Sequence, residues 1–219
     1  MGELRAALFD IDGTLIDSNH LHVQAWVEAF AGAGREVEAD AVAPLIGMGG
    51  DKLVPTLWPD ADEAMQERLS DAHGAAFKGR YMAQAQPFPG ARDLVARVHE
   101  VGLKVVLATS ASDEEVDHYV DLLGIRDMVV TKTSIDEVEE SKPAPDIFAT
   151  ALKKAGVAAE AAIAIGDAPY DVEAAGKSGV STIALLSGGF PRERLEGSVA
   201  IYEDAADLLR RFEDSPLVE

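Results

Sequence analysis

Asp10 and Asp12 stand two residues apart in Asp10-Ile11-Asp12-Gly13-Thr14-Leu15, directly after the apolar run Ala6-Ala7-Leu8-Phe9. If that run is a buried strand, both carboxylates arrive where the chain must turn, and Gly13 gives the turn the φ freedom to bring backbone close to a ligand. One carboxylate could attack an electrophile while the other moves a proton, and the pair would need a metal ion. Three later points share this placement: Thr109-Ser110, Lys142-Pro143, and Gly166-Asp167 with Asp171 four residues on. Asp10 and Asp167, with a backbone carbonyl of the first turn, offer the hard oxygens that Mg2+ prefers. Thr109 and amides at a helix start offer donors to a phosphate. Lys142 adds a compact positive charge that can neutralise both carboxylate and phosphate during transfer.

The elements that must position these residues are legible as short apolar runs ending at small or acidic residues: 6–9, 103–108, 128–130, 162–165 and 181–186. Helical patterns lie between them, such as the capping box Ser112-Asp113-Glu114-Glu115 leading into Val116, Val120 and Leu123. Alternation of strand and helix predicts a parallel sheet covered on both faces, with all four points at strand ends. Residues 18–86 differ, since they lack a convincing strand and carry helical spacing in Val23-Trp26-Val27-Phe30 and from Met65 to Phe77. The prediction is an α/β chain: a Rossmann-like core of residues 1–17 and 87–219, with a helical cap domain of residues 18–86 inserted before Pro87-Phe88-Pro89-Gly90. A length of 219 residues suits one domain carrying a smaller one.

Composition narrows the partners. Nineteen Lys and Arg against 39 Asp and Glu leave a formal charge of −20, which repels nucleic acid and anionic membrane surfaces. The absence of cysteine removes disulfides and thiolate chemistry together. Met1-Gly2-Glu3-Leu4-Arg5 lacks the basic start and apolar core of a signal peptide, and no later run approaches membrane-spanning length. The expectation is a cytoplasmic protein, monomer or homodimer, acting on a small phosphorylated metabolite.

In these residues the chain resembles the haloacid dehalogenase superfamily of phosphohydrolases. Asp10-Ile11-Asp12-Gly13-Thr14 is similar to that family's first motif, Val105 to Ser110 to the second, Lys142-Pro143 to the third, and Gly166-Asp167-Ala168-Pro169-Tyr170-Asp171 to the fourth, all in order. The inserted helices fall where members resembling phosphoglycolate phosphatase and β-phosphoglucomutase carry a cap. The resemblance implies that Asp10 is the nucleophile forming an aspartyl-phosphate, and that Asp12 is general acid and then general base. It further implies that the Asp12 carbonyl and Asp167 help hold Mg2+, and that Thr109, Ser110 and Lys142 bind phosphate. Asp171 would either bind metal through water or orient Lys142. Asp12 argues for a phosphate ester, because a departing alkoxide needs a proton and a halide does not. Ala168 departs from the serine common at its position, which implies a lost hydrogen bond.

Outside the motifs the reading divides. His22 falls four residues before Trp26, a spacing similar to that of β-phosphoglucomutases, and is either near the leaving group or a histidine paired with backbone; Trp26 reads as core. His20, His73, His99 and His118 carry no pattern. Gly47-Met48-Gly49-Gly50-Asp51-Lys52 is either a flexible connection or the cap's substrate loop, with Gly49 and Gly50 admitting close approach and Lys52 meeting an anion. Ser187-Gly188-Gly189-Phe190, after the last strand, is either a plain loop or a border of the site; Arg192 and Arg194 read as surface residues, and the acidic cluster 136–140 as solvated. The function expected is a Mg2+-dependent phosphatase of a small phosphomonoester. The alternatives are a phosphosugar mutase and a non-catalytic binding or regulatory protein on the same fold.

Overall fold

The apolar run at the start of the chain becomes β1 (Ala6–Phe9), buried along its whole length, in a computed structural model that describes residues 3–218. Met1 and Gly2, on which part of the signal-peptide reading falls, lie outside the described residues. After β1 the chain forms β2 (Ile16–Asp17), then α1 (Asn19–Gly32), α2 (Ala39–Val42), α3 (Gly50–Leu57) and α4 (Glu63–Ala76), and returns through β3 (Gln86–Pro87). It continues as α5 (Ala91–Glu100), β4 (Lys104–Ala108), α6 (Asp113–Leu123), β5 (Val129–Thr133) and α7 (Asp146–Ala155). It closes with β6 (Ala162–Gly166), α8 (Pro169–Lys177), β7 (Ser181–Leu185), β8 (Ala200–Tyr202) and α9 (Ala205–Arg210).

Six of these strands form one parallel sheet in the order β5-β4-β1-β6-β7-β8. Phe9 is in register with Leu107 on one side and Ile165 on the other, so β1, β4 and β6 end level and open one crevice beyond their carboxyl ends. Apolar side chains leave both faces, as strands buried on two sides require: Phe9, Leu107 and Ile165 belong to one cluster, Leu8, Val106 and Ala164 to another with Ile147 and Phe148 of α7. β8 was not foreseen, since three residues are too few to show a period. β5 runs to Thr133 rather than ending at 130, because its polar Thr131-Lys132-Thr133 hides the strand from an apolar count.

Ile16 pairs with Pro87 and Asp17 with Gln86 in an antiparallel ribbon, so the helical segment leaves and rejoins the sheet at one narrow place. That segment has its own apolar cluster, including Trp26, Phe30, Val42, Leu53 and Leu69. α4 passes into a π turn at Phe77–Tyr81, which carries Phe77 and Lys78 toward the crevice. Among the described residues no helix is long and apolar enough to cross a membrane.

Candidate active site

Asp10 begins where β1 stops, anchored by its own amide donating to Ile165 O at 2.9 Å. Lys142 Nζ lies 2.6 Å from Asp10 Oδ1 and 2.7 Å from Asp171 Oδ1, and it is 1% exposed. Lys142 does not sit at a strand end as expected: the loop 134–141 after β5 carries it back over the crevice to the start of the segment leading into α7. Asp167 Oδ1 accepts from Thr14 Oγ1 at 2.8 Å and its Oδ2 from Asn19 Nδ2 at 3.1 Å. Asp171 Oδ2 accepts from the Ala168 amide at 3.0 Å, so both of its oxygens have partners and it stands directly against Lys142. The Ala168 methyl packs beside Tyr170, Phe190 and Leu195 with Met48 against them, replacing a serine hydroxyl with apolar contact.

Oxygens of Asp10, Asp167 and Asp171 lie within 4.8 Å of one another, all three residues being buried. Three buried carboxylates beside one buried ammonium leave negative charge uncompensated. Burial pushes the Asp10 carboxyl up to about 7, Lys142 pulling it down and Asp171 pushing it further up. Burial, then Asp171 and Asp10, drive Asp167 well above the carboxylate range. Burial alone would lower the Lys142 ammonium, yet Asp10 and Asp171 hold it above its ordinary value. Hard oxygens with excess negative charge are the donor set of a divalent cation such as Mg2+, and the residues present fit one. The backbone makes room for them: a Cβ at Gly13, whose φ is 76°, or at Gly188 would collide with Asp167 Oδ2, and one at Gly166 would collide with Asp171.

Asp12 is set apart from this cluster. Its Oδ1 accepts from Ser18 Oγ at 2.5 Å and faces His22 Nε2 at 3.2 Å. Burial would raise this carboxyl, but the His22 charge and the bonds from His22 and Ser18 hold it below its usual value. Burial would likewise lower His22, and Asp12 raises it. His22 stacks on Phe77 at 3.7 Å between ring centroids and shares a hydrogen bond of 3.2 Å with His73 Nε2, which stacks on Trp26 at 4.1 Å. His73 had no pattern to mark it, and its partner lies 51 residues away on another helix. Trp26 is core, as its spacing suggests, and lines the cavity as well.

The second motif supplies the facing wall. Thr109 is 1% exposed, and its Oγ1 accepts from the Ala111 amide at 3.1 Å. The Ser112–Glu115 capping box opens α6 beside it, with Glu115 Oε2 taking the Ser112 amide at 2.6 Å. Ser110 Oγ lies 3.4 Å from Gly47 O, and the Gly49 amide donates to Ser141 Oγ at 2.9 Å, so the glycine loop is fastened to the core over the crevice. Gly50 lies under Trp26 and Ser70, where a Cβ would press within 3.1 Å of the indole. Lys52 turns away: its Nζ meets Glu140 at 2.9 Å and does not line the cavity.

The cavity, about 340 Å³, runs from Asp10 and Asp12 up to Ile46, Ser70 and Lys78. The acidic cluster is not merely solvated: Glu140 pairs with Lys52, Glu137 with Lys154, and Glu139 lines the cavity. The 187–190 loop borders the metal-type cluster, since Ser187 Oγ donates to Gly13 O at 2.7 Å and Gly188 O accepts from Asn19. Thr14, Ser18, Asn19, His73 and Ser141 are the site residues that sequence reasoning passed over. Each is an ordinary polar type, and its partner is distant in the chain or hidden in the turn.

A sheet with acids at the ends of its central strands and helices over the crevice defines a class, and the comparisons agree with it. A profile of haloacid dehalogenase-like hydrolases matches residues 7–185, and the chain belongs to that family. It is 34% identical, over an alignment of 196 residues that covers 84% of this chain, to the Arabidopsis thaliana chloroplast protein SUPPRESSOR OF QUENCHING 1, of which it spans 18%. It is 29% identical to a phosphoglycolate phosphatase of Rhodospirillum rubrum, covering 93% of this chain and 89% of that one. Among solved structures it resembles a hydrolase from Pseudomonas syringae, with a TM-score of 0.90, 32% identity, and coverage of 96% of this chain and 98% of the other.

Proposed function

We propose that the protein is a phosphatase of a small phosphomonoester, working through an aspartyl-phosphate on Asp10 with Mg2+ as cofactor. The observation that carries this reading is the position of Asp10. It belongs to the buried cluster with Asp167, Asp171 and Lys142, and it also lines the cavity beside Thr109 and the start of α6. Asp10, Asp167 and the backbone carbonyl of Asp12 would hold Mg2+, which when bound would offset charge on the nucleophile and on the phosphoryl oxygens. Asp171 acts on Lys142, aiming the ammonium at Asp10 and the arriving phosphate.

Lys142 holds Asp10 Oδ1, leaving Oδ2 to attack phosphorus. As the bond from phosphorus to the leaving oxygen breaks, Asp12 gives that oxygen a proton. It then takes one from the water that attacks the aspartyl-phosphate, releasing phosphate and restoring Asp10. His22 lies within hydrogen-bond distance of Asp12, so the pair can hold that proton between them. Thr109 and the α6 amides receive the phosphoryl oxygens, and Ser110 flanks them. Residues 18–86 act as a cap closing residues 1–17 and 87–219 against bulk water, with Gly49 and Gly50 in its substrate loop. The enzyme works in the cytoplasm.

The test is phosphate release from p-nitrophenyl phosphate by the purified full chain. Turnover should require added Mg2+ and stop with EDTA; turnover that ignores both would overturn the metal assignment. The second reading, a phosphosugar mutase, is favoured by His22 standing on Asp12. Supplied with β-glucose 1-phosphate and its bisphosphate, a mutase would form glucose 6-phosphate faster than free phosphate, and that result would replace the phosphatase reading.

A further inference from the structure

The floor of the cavity deals with the phosphoryl group, and the walls above it must deal with the alcohol to which it is attached. We infer that this alcohol is uncharged and hydroxyl-bearing, so that the substrate is a polyol or sugar monophosphate rather than a phosphorylated carboxylic acid or a bisphosphate. The inference rests on the phosphatase reading above and refines it.

Three carboxylates besides Asp10 and Asp12 line the cavity: Asp51 from α3, Glu115 from α6 and Glu139 from the loop 134–141. Among the described residues that line it, Lys78 is the sole lysine or arginine, and Glu114 already meets it at 2.9 Å. Lys52 compensates part of Asp51, at 3.6 Å, but its nearer partner is Glu140 and it stays outside the cavity. Glu139 makes no ion pair among the described residues, and Glu115 is met only by the capping bonds of Ser112. His73 adds no charge, since burial and then His22 drive it well below the ordinary histidine range. A second anionic group on the substrate would therefore face a wall of its own sign with no free cation to receive it.

The same wall suits hydroxyls. Carboxylates accept hydrogen bonds from them, and the serine side chains that line the cavity can serve a hydroxyl either way. The Trp26 ring and the Ile46 side chain offer apolar surface to carbon-bound hydrogens. The cavity of about 340 Å³ matches a small ligand and leaves no room for a macromolecular one.

The experiment compares kcat/KM of the full chain with Mg2+ for glycerol 3-phosphate and glucitol 6-phosphate against phosphoglycolate and fructose 1,6-bisphosphate, with p-nitrophenyl phosphate as reference. The uncharged alcohols should lead by about tenfold or more. Glu139→Lys, an exposed position, should raise phosphoglycolate relative to glycerol 3-phosphate by several-fold by placing a cation on the wall. If p-nitrophenyl phosphate turns over while phosphoglycolate or the bisphosphate equals or exceeds the uncharged alcohols, the inference fails and the phosphatase reading stands. A ratio unmoved by Glu139→Lys also overturns it. If no ester, p-nitrophenyl phosphate included, turns over, the phosphatase reading falls and takes the inference with it.

Discussion

The floor of the site and its mouth are both made of ion pairs, and they differ in water. Side chains of Lys142, Asp10 and Asp171 on the floor are 1%, 5% and 1% exposed. At the mouth, Lys52 with Glu140 and Lys78 with Glu114 join the helical segment to the core at 33% and 59%, and at 36% and 66%. A buried pair persists only with near-complete partnering, because an unpaired charge there has nothing to replace its lost hydration. An exposed pair is screened and nearly balanced by hydration, so it can form and break with little change in free energy. The floor is therefore suited to fixed geometry, and the mouth to the opening and closing that the proposed cap would need.

The sharpest way to test that contrast is at Asp10, the proposed nucleophile. Asp10→Asn should cut turnover by roughly 10⁴-fold or more, measured as phosphate release, because no other acid of the cluster lines the cavity to take its place. Retained activity would remove the covalent scheme and with it the reason for so closed a floor. Next in size, Lys142→Met should lower stability by about 3–5 kcal/mol in urea unfolding, since Asp10 and Asp171 would be left buried without their cation. A loss under about 1 kcal/mol would show that the floor is as forgiving as the mouth. The smallest effect belongs to the mouth: Lys52→Ala and Lys78→Ala should each change stability by about 1 kcal/mol or less. Their influence on KM should fade as salt is raised. A mouth variant as damaging as Lys142→Met would erase the contrast.

Much of the floor was readable in the chain before any fold was known. Asp10, Asp12, Thr109, Lys142 and Asp167 follow short apolar runs or precede proline and glycine, and such signals are local, extending over a few residues. The mouth was less readable. One of the two readings of the 47–52 segment set Lys52 toward substrate on charge alone, whereas Glu140, 88 residues away, claims it. His73 looked idle because only the packing of α4 against α1 brings it to His22. Glu139 looked like a solvated charge because nothing local says that its loop folds back over the crevice.

The order of apolar runs, the acids at their ends and the capping box at Ser112 are enough to specify an α/β sheet and the chemistry gathered at its edge, because strand period and helix capping act between near neighbours. The tertiary structure alone decided which charges cancel. It set Asp171 against Lys142 rather than leaving it to the carboxylate cluster alone. It brought Asn19 and Thr14, 148 and 153 residues distant, onto Asp167. It also gave the cavity wall its negative sign by pairing Lys52 and Lys78 elsewhere. Those outcomes depend on sheet register and helix packing across the whole chain, which no local pattern encodes.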